Sequence, residues 1–155
     1  MPVITVDNVV EGLKRKDVFA WLSVTDNHDR FLAGAFNDVS RASDTEWTCT
    51  LKLFPKSRVM RYRFIAADDE HGGRRILCET DGKRTKGKLH YSLRTPRGSR
   101  DTLITLHMDY DPGSMFGLVV DVGGLRDGLE KGLVTILSNL KKEIYQDVES
   151  GKLEA

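Results

Sequence analysis

Apolar residues in this chain recur at every second position between Trp47 and Tyr110, then at every third or fourth position from Leu118 to Ile144. That switch of period constrains the fold more than any other feature, because strands alternate faces with period 2 and helices with period 3.6. Trp47, Cys49, Leu51 and Leu53 alternate with Thr48, Thr50 and Lys52. Met60, Tyr62, Phe64 and Ala66 alternate with Val59, Arg61, Arg63 and Ile65. Leu89, Tyr91 and Leu93 alternate with Lys88, His90, Ser92 and Arg94, and Ile104, Leu106, Met108 and Tyr110 with Leu103, Thr105, His107 and Asp109. Each run reads as a strand with one apolar face and one wet face. Phe36–Ser43, Arg75–Thr80 and the opening Val3–Val10 bring the set to about seven strands.

Turn residues separate the runs at Pro55-Lys56-Ser57, Asp68–Gly73, Asp81-Gly82-Lys83 and Thr95–Ser99. Strands joined by turns this short pair as antiparallel hairpins. Around the loop centred on Gly98, residues whose numbers sum to 197 then face each other, which sets His90 opposite His107. Between the first two strands, Val18, Phe19 and Leu22 share one helical face, with Trp21 flanking it. Asn27 is placed to cap a second short helix, Asn27–Leu32, with Gly34 ending it.

The C-terminal stripe runs Leu118, Val122, Leu125, Leu129, Leu133, Ile136, Leu140 and Ile144, with Asp127, Glu130, Lys131, Lys141 and Lys142 off it. One amphipathic helix of about thirty residues, some 45 Å long, spans an antiparallel sheet and covers its apolar face. If the first turns are loop, the helix starts near Leu125 and the lining loses Leu118 and Val122. Gly124, Gly128 and Gly132 sit four apart on this helix. Each glycine costs roughly 0.8–1 kcal/mol relative to alanine. Bulk is therefore unwelcome on that side, either for close packing or to leave room for a ligand.

With 155 residues, 39% hydrophobic and 30% charged, the chain reads as one domain over residues 1–149 with a frayed tail at 150–155. The formal charge of +1 gives no global pull toward nucleic acid or membrane, and no nucleic-acid partner is expected. The balance is uneven, however: Lys52 to Arg100 holds 14 Lys or Arg against 5 Asp or Glu, while the rest holds 10 against 18. Such a face can attract an anionic membrane surface, or simply keep strand edges soluble. Cys49 and Cys78 lack disulfide-scaffold or metal-ligand spacing. No basic stretch followed by a long apolar one opens the sequence, and no apolar run approaches the roughly 20 residues of a membrane span. A cytoplasmic protein is expected.

Lys16-Asp17-Val18-Phe19-Ala20-Trp21-Leu22, followed by Asn27-His28-Asp29-Arg30-Phe31-Leu32, resembles the opening helices of the START-like superfamily, also called SRPBCC. That group includes polyketide cyclases, coenzyme Q-binding proteins and lipid-transfer domains. The strand ending Leu106–Pro112 and running into an amphipathic helix is similar too, so the resemblance spans Val3 to about Tyr145. It implies an α+β helix-grip fold: a curved seven-stranded antiparallel sheet wrapped around a long C-terminal helix, with two short helices after the first strand. It implies an apolar cavity between sheet and helix, and carries over no catalytic motif or cofactor.

Strand parity then supplies the expected ligand-binding lining: Leu51, Leu53, Met60, Tyr62, Phe64, Ile76, Cys78, Leu89, Tyr91, Leu106, Met108 and Tyr110, facing Leu118, Val122, Leu125 and Leu129. Three tyrosines in an apolar set require partners, which are one another, water or a ligand oxygen. An apolar pocket with a few placed polar groups suits a lipid, quinone, isoprenoid or polyketide-like molecule, admitted past Met115-Phe116-Gly117-Leu118. A polyketide cyclase or dehydratase is the alternative, and a protein-interaction regulator docking through the basic face a third. Against catalysis, this inward set holds no His, Asp or Glu, and His28 reads as a surface residue. His71 falls in an acidic turn, and His90 and His107 lie on the outer face with no third ligand, so neither a catalytic nor a metal site is assigned. The oligomeric state is not legible.

Overall fold

Alternating apolar and polar residues build seven strands, β1 (Val3–Val10), β2 (Asn37–Ser43), β3 (Glu46–Leu51), β4 (Arg58–Asp68), β5 (Arg74–Gly82), β6 (Thr85–Arg94) and β7 (Thr102–Asp111). Three helices, α1 (Arg15–Leu22), α2 (Thr25–Ala35) and α3 (Val122–Glu149), complete the described elements. The computed structural model describes residues 3–51, 58–69, 74–82, 85–111 and 122–153. All seven strands form one antiparallel sheet in the order β1-β7-β6-β5-β4-β3-β2. Strands consecutive in sequence make every neighbour pair except β1–β7, which sets the first strand beside the last, while α1 and α2 carry the chain from β1 at one edge to β2 at the other. The β6–β7 register sets Leu89 against Met108, His90 against His107 and Tyr91 against Leu106, as the Gly98 loop requires.

Burial follows parity closely on β7, where Thr102, Ile104, Leu106, Met108 and Tyr110 are buried and the residues between them are not. On β4 the alternation breaks at a bulge: Phe64 faces Cys78, but Ala66 faces Leu77, leaving Ile65 as the extra residue. Ala66 is thereby moved off the inward face that simple alternation assigned to it, since Leu77 lies between the buried Ile76 and Cys78.

The α3 stripe packs through Leu129, Leu133, Ile136, Leu140 and Ile144, joined by Leu137, all buried against α2, β1 and the sheet. Each such side chain contributes roughly 1.5–3 kcal/mol on burial. The described part of the helix spans Val122–Glu149, and the Leu118 end of the expected stripe lies outside the described residues. Past Glu149, the Lys152 and Leu153 amides donate to the Asp147 carbonyl at 2.8 and 3.1 Å, around a Gly151 with φ of 80°.

The second helix is longer than its sequence signals suggest. Val24, not Asn27, occupies its N-cap, and Asn27 instead donates its side-chain amide to the Trp21 carbonyl at 2.8 Å. Gly34 does not end it. A Cβ there would lie 2.8 Å from Asn139 Oδ1, so this glycine permits the close approach of α2 to α3. The two helices are also knotted by charge. Arg30 reaches Glu143 and Asp147 at 2.8 Å each, and Asp147 accepts the Trp21 indole N–H at 2.8 Å. On α1 it is Trp21, beside Val18 and Leu22, that is buried, with Phe19 only partly covered.

Candidate functional site

Along α2, positions 28, 31 and 32 fall on one face, so His28 points inward with Phe31 and Leu32. The sequence reading put His28 at the surface; it is fully buried. Phe31, Trp47, Tyr62, Phe64 and Tyr91 surround its ring, with centroids 4.8–6.1 Å away. The inward face therefore does hold a histidine. It is delivered by a helix rather than by the strands whose parity was followed.

The hydrogen bonds around this ring have a fixed direction. His28 Nε2 lies 2.7 Å from the Leu22 carbonyl, which only accepts, so Nε2 carries the proton. Nδ1 is then the acceptor, and the Tyr62 hydroxyl donates to it at 2.8 Å. The Tyr62 oxygen in turn accepts from Tyr91, at 2.8 Å, and from the Cys78 thiol, at 3.2 Å. The result is a buried relay from Tyr91 through Tyr62 to His28, ending on backbone. Two of the three inward tyrosines thus satisfy each other.

Burial keeps every member of this relay neutral at physiological pH. Desolvation lowers the His28 imidazole to about 4, against the partial opposition of the Leu22 carbonyl. The same cause raises Tyr62 and Tyr91 well above the ordinary phenol range. Burial pushes the Cys78 thiol up to about 12 and Cys49 up to about 11, so neither offers a thiolate nucleophile.

The relay is one end of a row that crosses the sheet. Trp47 faces Tyr62, Tyr62 faces Thr80, Thr80 faces Gly87, and Gly87 faces Tyr110. At the β3–β4 end the polar atoms are satisfied, with the Trp47 indole N–H donating to Asp29 at 3.1 Å and Tyr62 to His28. At the β5–β7 end, the buried hydroxyls of Thr80 and Tyr110 have no hydrogen-bond partner among the described residues.

A cleft of about 320 Å³ opens between the end of α2, the β2–β3 edge and α3, lined by Ala35, Phe36, Asn37, Thr50, Gly128, Lys131, Gly132 and Thr135. Gly128 and Gly132 belong to the bare helix stripe noted in the sequence. Here that stripe borders open space. Lys131 and Thr135 also line a groove of about 630 Å³ on the outer side of α3, with Asp127, Glu130 and Val134.

Across the sheet's outer face, His90 and His107 are opposed, and His107 Nδ1 lies 3.3 Å from Thr5 Oγ1. Partial burial and then the Arg75 charge lower the His90 pKa. Among the described residues, no group of three His, Cys, Asp or Glu side chains is placed to hold a metal. Three arginines of the basic stretch are paired on this face, Arg61 with Asp81, Arg63 with Glu79 and Arg75 with Asp68, while Arg74, which pairs with Asp69, has inward parity and lies over the Phe19 ring. No helix among the described residues is long and apolar enough to cross a membrane.

Known folds share this arrangement of sheet and helices. An aromatase/cyclase from Streptomyces sp. R1128 aligns over 95% of this chain and 96% of its own, at 12% identity and a TM-score of 0.67. A START superfamily protein from Mycobacterium smegmatis aligns over 93% and 97%, at 13% identity and a TM-score of 0.59. The fold is START-like. A norcoclaurine synthase point mutant from Thalictrum, solved with a transition-state analogue, aligns over 94% of each chain at 17% identity and a TM-score of 0.59. No protein-family model and no curated protein sequence matches the chain.

Within this START-like frame, the expected lining residues separate into three groups. Met60, Tyr62, Ile76, Cys78, Leu89, Tyr91, Leu106, Met108, Tyr110 and Leu129 are buried, and Phe64 is partly buried against them. Leu51, Val122 and Leu125 take their backbone places on β3 and α3. Leu53, Leu118 and the Met115–Leu118 gate lie outside the described residues. Strand parity missed His28 and Thr80. The 28/31/32 spacing was the available signal for the first, and the two-residue step from Cys78 to Thr80 along the inward face for the second.

The neutral His28 has a consequence for stability. Unfolded, it takes up a proton below about 6.5; folded, only below about 4. Its contribution is therefore complete above pH 6.5 and is lost as pH falls toward 4, by about 3 kcal/mol in all. Urea unfolding at stepped pH should show this limb, and His28→Gln should reduce it to the smaller contribution of His90. An undiminished limb in that variant would contradict the assignment.

Proposed function

We propose that the chain binds a hydrophobic small molecule, lipid-, quinone-, isoprenoid- or polyketide-like, between the sheet and the C-terminal helix. The observation that carries this reading is the cleft beside Gly128 and Gly132, at about 320 Å³ within the size range of small-molecule sites. A helix meant only to pack would gain roughly 0.8–1 kcal/mol at each position by replacing glycine with alanine. Ala35 and Phe36 give the cleft its apolar part, and Asn37, Thr50, Lys131 and Thr135 its polar part. Burial of ligand surface there drives binding at roughly 25 cal/mol per Å². On the outer sheet face Arg61, Arg63 and Arg75 are each paired with a neighbouring carboxylate, so the reading rests on the cleft and not on that face.

Nile red, an uncharged dye, provides the test. Wild-type protein should take it up saturably with a blue-shifted emission. Gly132→Leu fills the cleft and should weaken uptake about tenfold or more, near 1.4 kcal/mol, while the helix loses nothing in propensity. No uptake by wild type, or equal uptake by the variant, would contradict the reading.

The His28–Tyr62–Tyr91 relay favours a second reading, a cyclase or dehydratase in which this chain of hydroxyls moves a proton. The two readings part at Tyr91→Phe. Catalysis predicts that this change lowers turnover of a poly-β-keto thioester on the order of 100-fold or more without altering Nile red binding. Pure binding predicts no turnover by either protein.

A further inference from the structure

We infer that the bound molecule carries an uncharged oxygen acceptor, a ketone, quinone or ester carbonyl, held by the hydroxyls of Thr80 and Tyr110; this rests on the binding reading above. Both residues are buried, Tyr110 completely and Thr80 to within 7% exposure, and neither hydroxyl has a partner among the described residues. A buried hydroxyl left unpaired costs roughly 1–3 kcal/mol. The rest of the inward polar set is satisfied: Tyr62 and Tyr91 by each other and by His28, and Thr102 by the Leu13 carbonyl at 2.8 Å. The two unpaired groups are thus the exception in a core that otherwise pairs its polar atoms.

Their placement is shared. Thr80 and Tyr110 flank Gly87 on the two neighbouring strands, in the same cross-sheet row. A Cβ on Gly87 would come within 2.7 Å of Thr80 Oγ1 and 2.9 Å of Met108 Cε. The Thr80 hydroxyl therefore leans over the bare backbone of Gly87, toward the strand that carries Tyr110. A glycine inside a strand weakens it and marks a close approach. Here the missing side chain is what lets the hydroxyl take that position.

The chemistry of the recognised group follows by elimination. Buried polar or charged side chains among the described residues are His28, Thr80, Thr102 and Asp147, and Asp147 is already engaged by Arg30 and Trp21. Among the described residues no buried cation waits for a carboxylate or phosphate, and no unengaged buried carboxylate for an amine. A charged head would be desolvated without compensation. Two hydroxyls can each donate to an oxygen, and a carbonyl oxygen has two lone pairs to receive them.

The test uses a matched pair of probes, 2-acetylnaphthalene and its planar hydrocarbon counterpart 2-isopropenylnaphthalene, titrated by calorimetry. In a site without donors the hydrocarbon binds more tightly, because the ketone oxygen loses its water. Wild type should instead prefer the ketone about tenfold, and the carbonyl stretch of the bound ketone should move to lower wavenumber. The double variant Thr80→Val, Tyr110→Phe should reverse the preference and restore the stretch, while each single variant melts no lower than wild type in the free state. A wild-type preference for the hydrocarbon, or a preference unchanged by the double variant, would overturn the inference and leave hydrophobic binding standing; the hydroxyls would then hold buried water only. Free-state melting lowered by both single variants would overturn it too, by showing the hydroxyls satisfied within the fold. Failure of both probes and of Nile red to bind wild type would remove the binding reading and this inference together.

Discussion

One imidazole ties the helical pair to the sheet. His28 donates from Nε2 to the last carbonyl of α1 and accepts at Nδ1 from Tyr62 on β4, so its two nitrogens hold α1, α2 and the sheet in one register. Either bond broken in this dry environment would leave a buried polar atom unpaired, at roughly 1–3 kcal/mol. The aromatic rings packed around it exclude the water that would otherwise relieve that cost. Because the Leu22 carbonyl can only accept, the proton order of the whole cluster is dictated from its backbone end. Tyr62 and Tyr91 are oriented as a consequence, and so is the Cys78 thiol.

That closed end sets off the open one. The five-residue row Trp47, Tyr62, Thr80, Gly87, Tyr110 crosses one sheet, yet its polar groups are paired on β3 and β4 and unpaired on β5 and β7. The difference lies in what packs above each end. Over β3 and β4, α2 supplies Asp29 and His28 as partners. Among the described residues no helix side chain bonds Thr80 or Tyr110, while at the β2–β3 edge α3 lines the cleft with Gly128, Lys131, Gly132 and Thr135. The polar row is thus satisfied where α2 overlies it and unsatisfied among the described residues farther along.

How much of this was legible depends on whether a feature was local. Period-2 runs and short turns specified the sheet, because each inward position is fixed by parity and each hairpin register by its loop. The His90–His107 pairing came from arithmetic alone. The β4 bulge did not, since the extra residue Ile65 is as good a strand former as its neighbours and leaves no mark in the pattern. His28 was misread because a histidine was counted as polar wherever it stood, although Phe31 and Leu32 place it on the apolar face. The Arg30–Asp147–Trp21 knot joins residues more than a hundred positions apart and has no local signature at all. Parity told which strand residues face inward, but the described residues that line the cleft are none of those it singled out, and the distinction between paired and unpaired hydroxyls needed three dimensions.

The central claim is that the space between the sheet and α3 holds a hydrophobic guest. Native mass spectrometry of the protein purified from its source cells tests it most directly, with extraction and identification of whatever is bound. The account predicts added mass near one small molecule per chain, released by organic solvent and apolar with a neutral carbonyl. A bare chain at the sequence mass, which also declines apolar probes added afterwards, would contradict it.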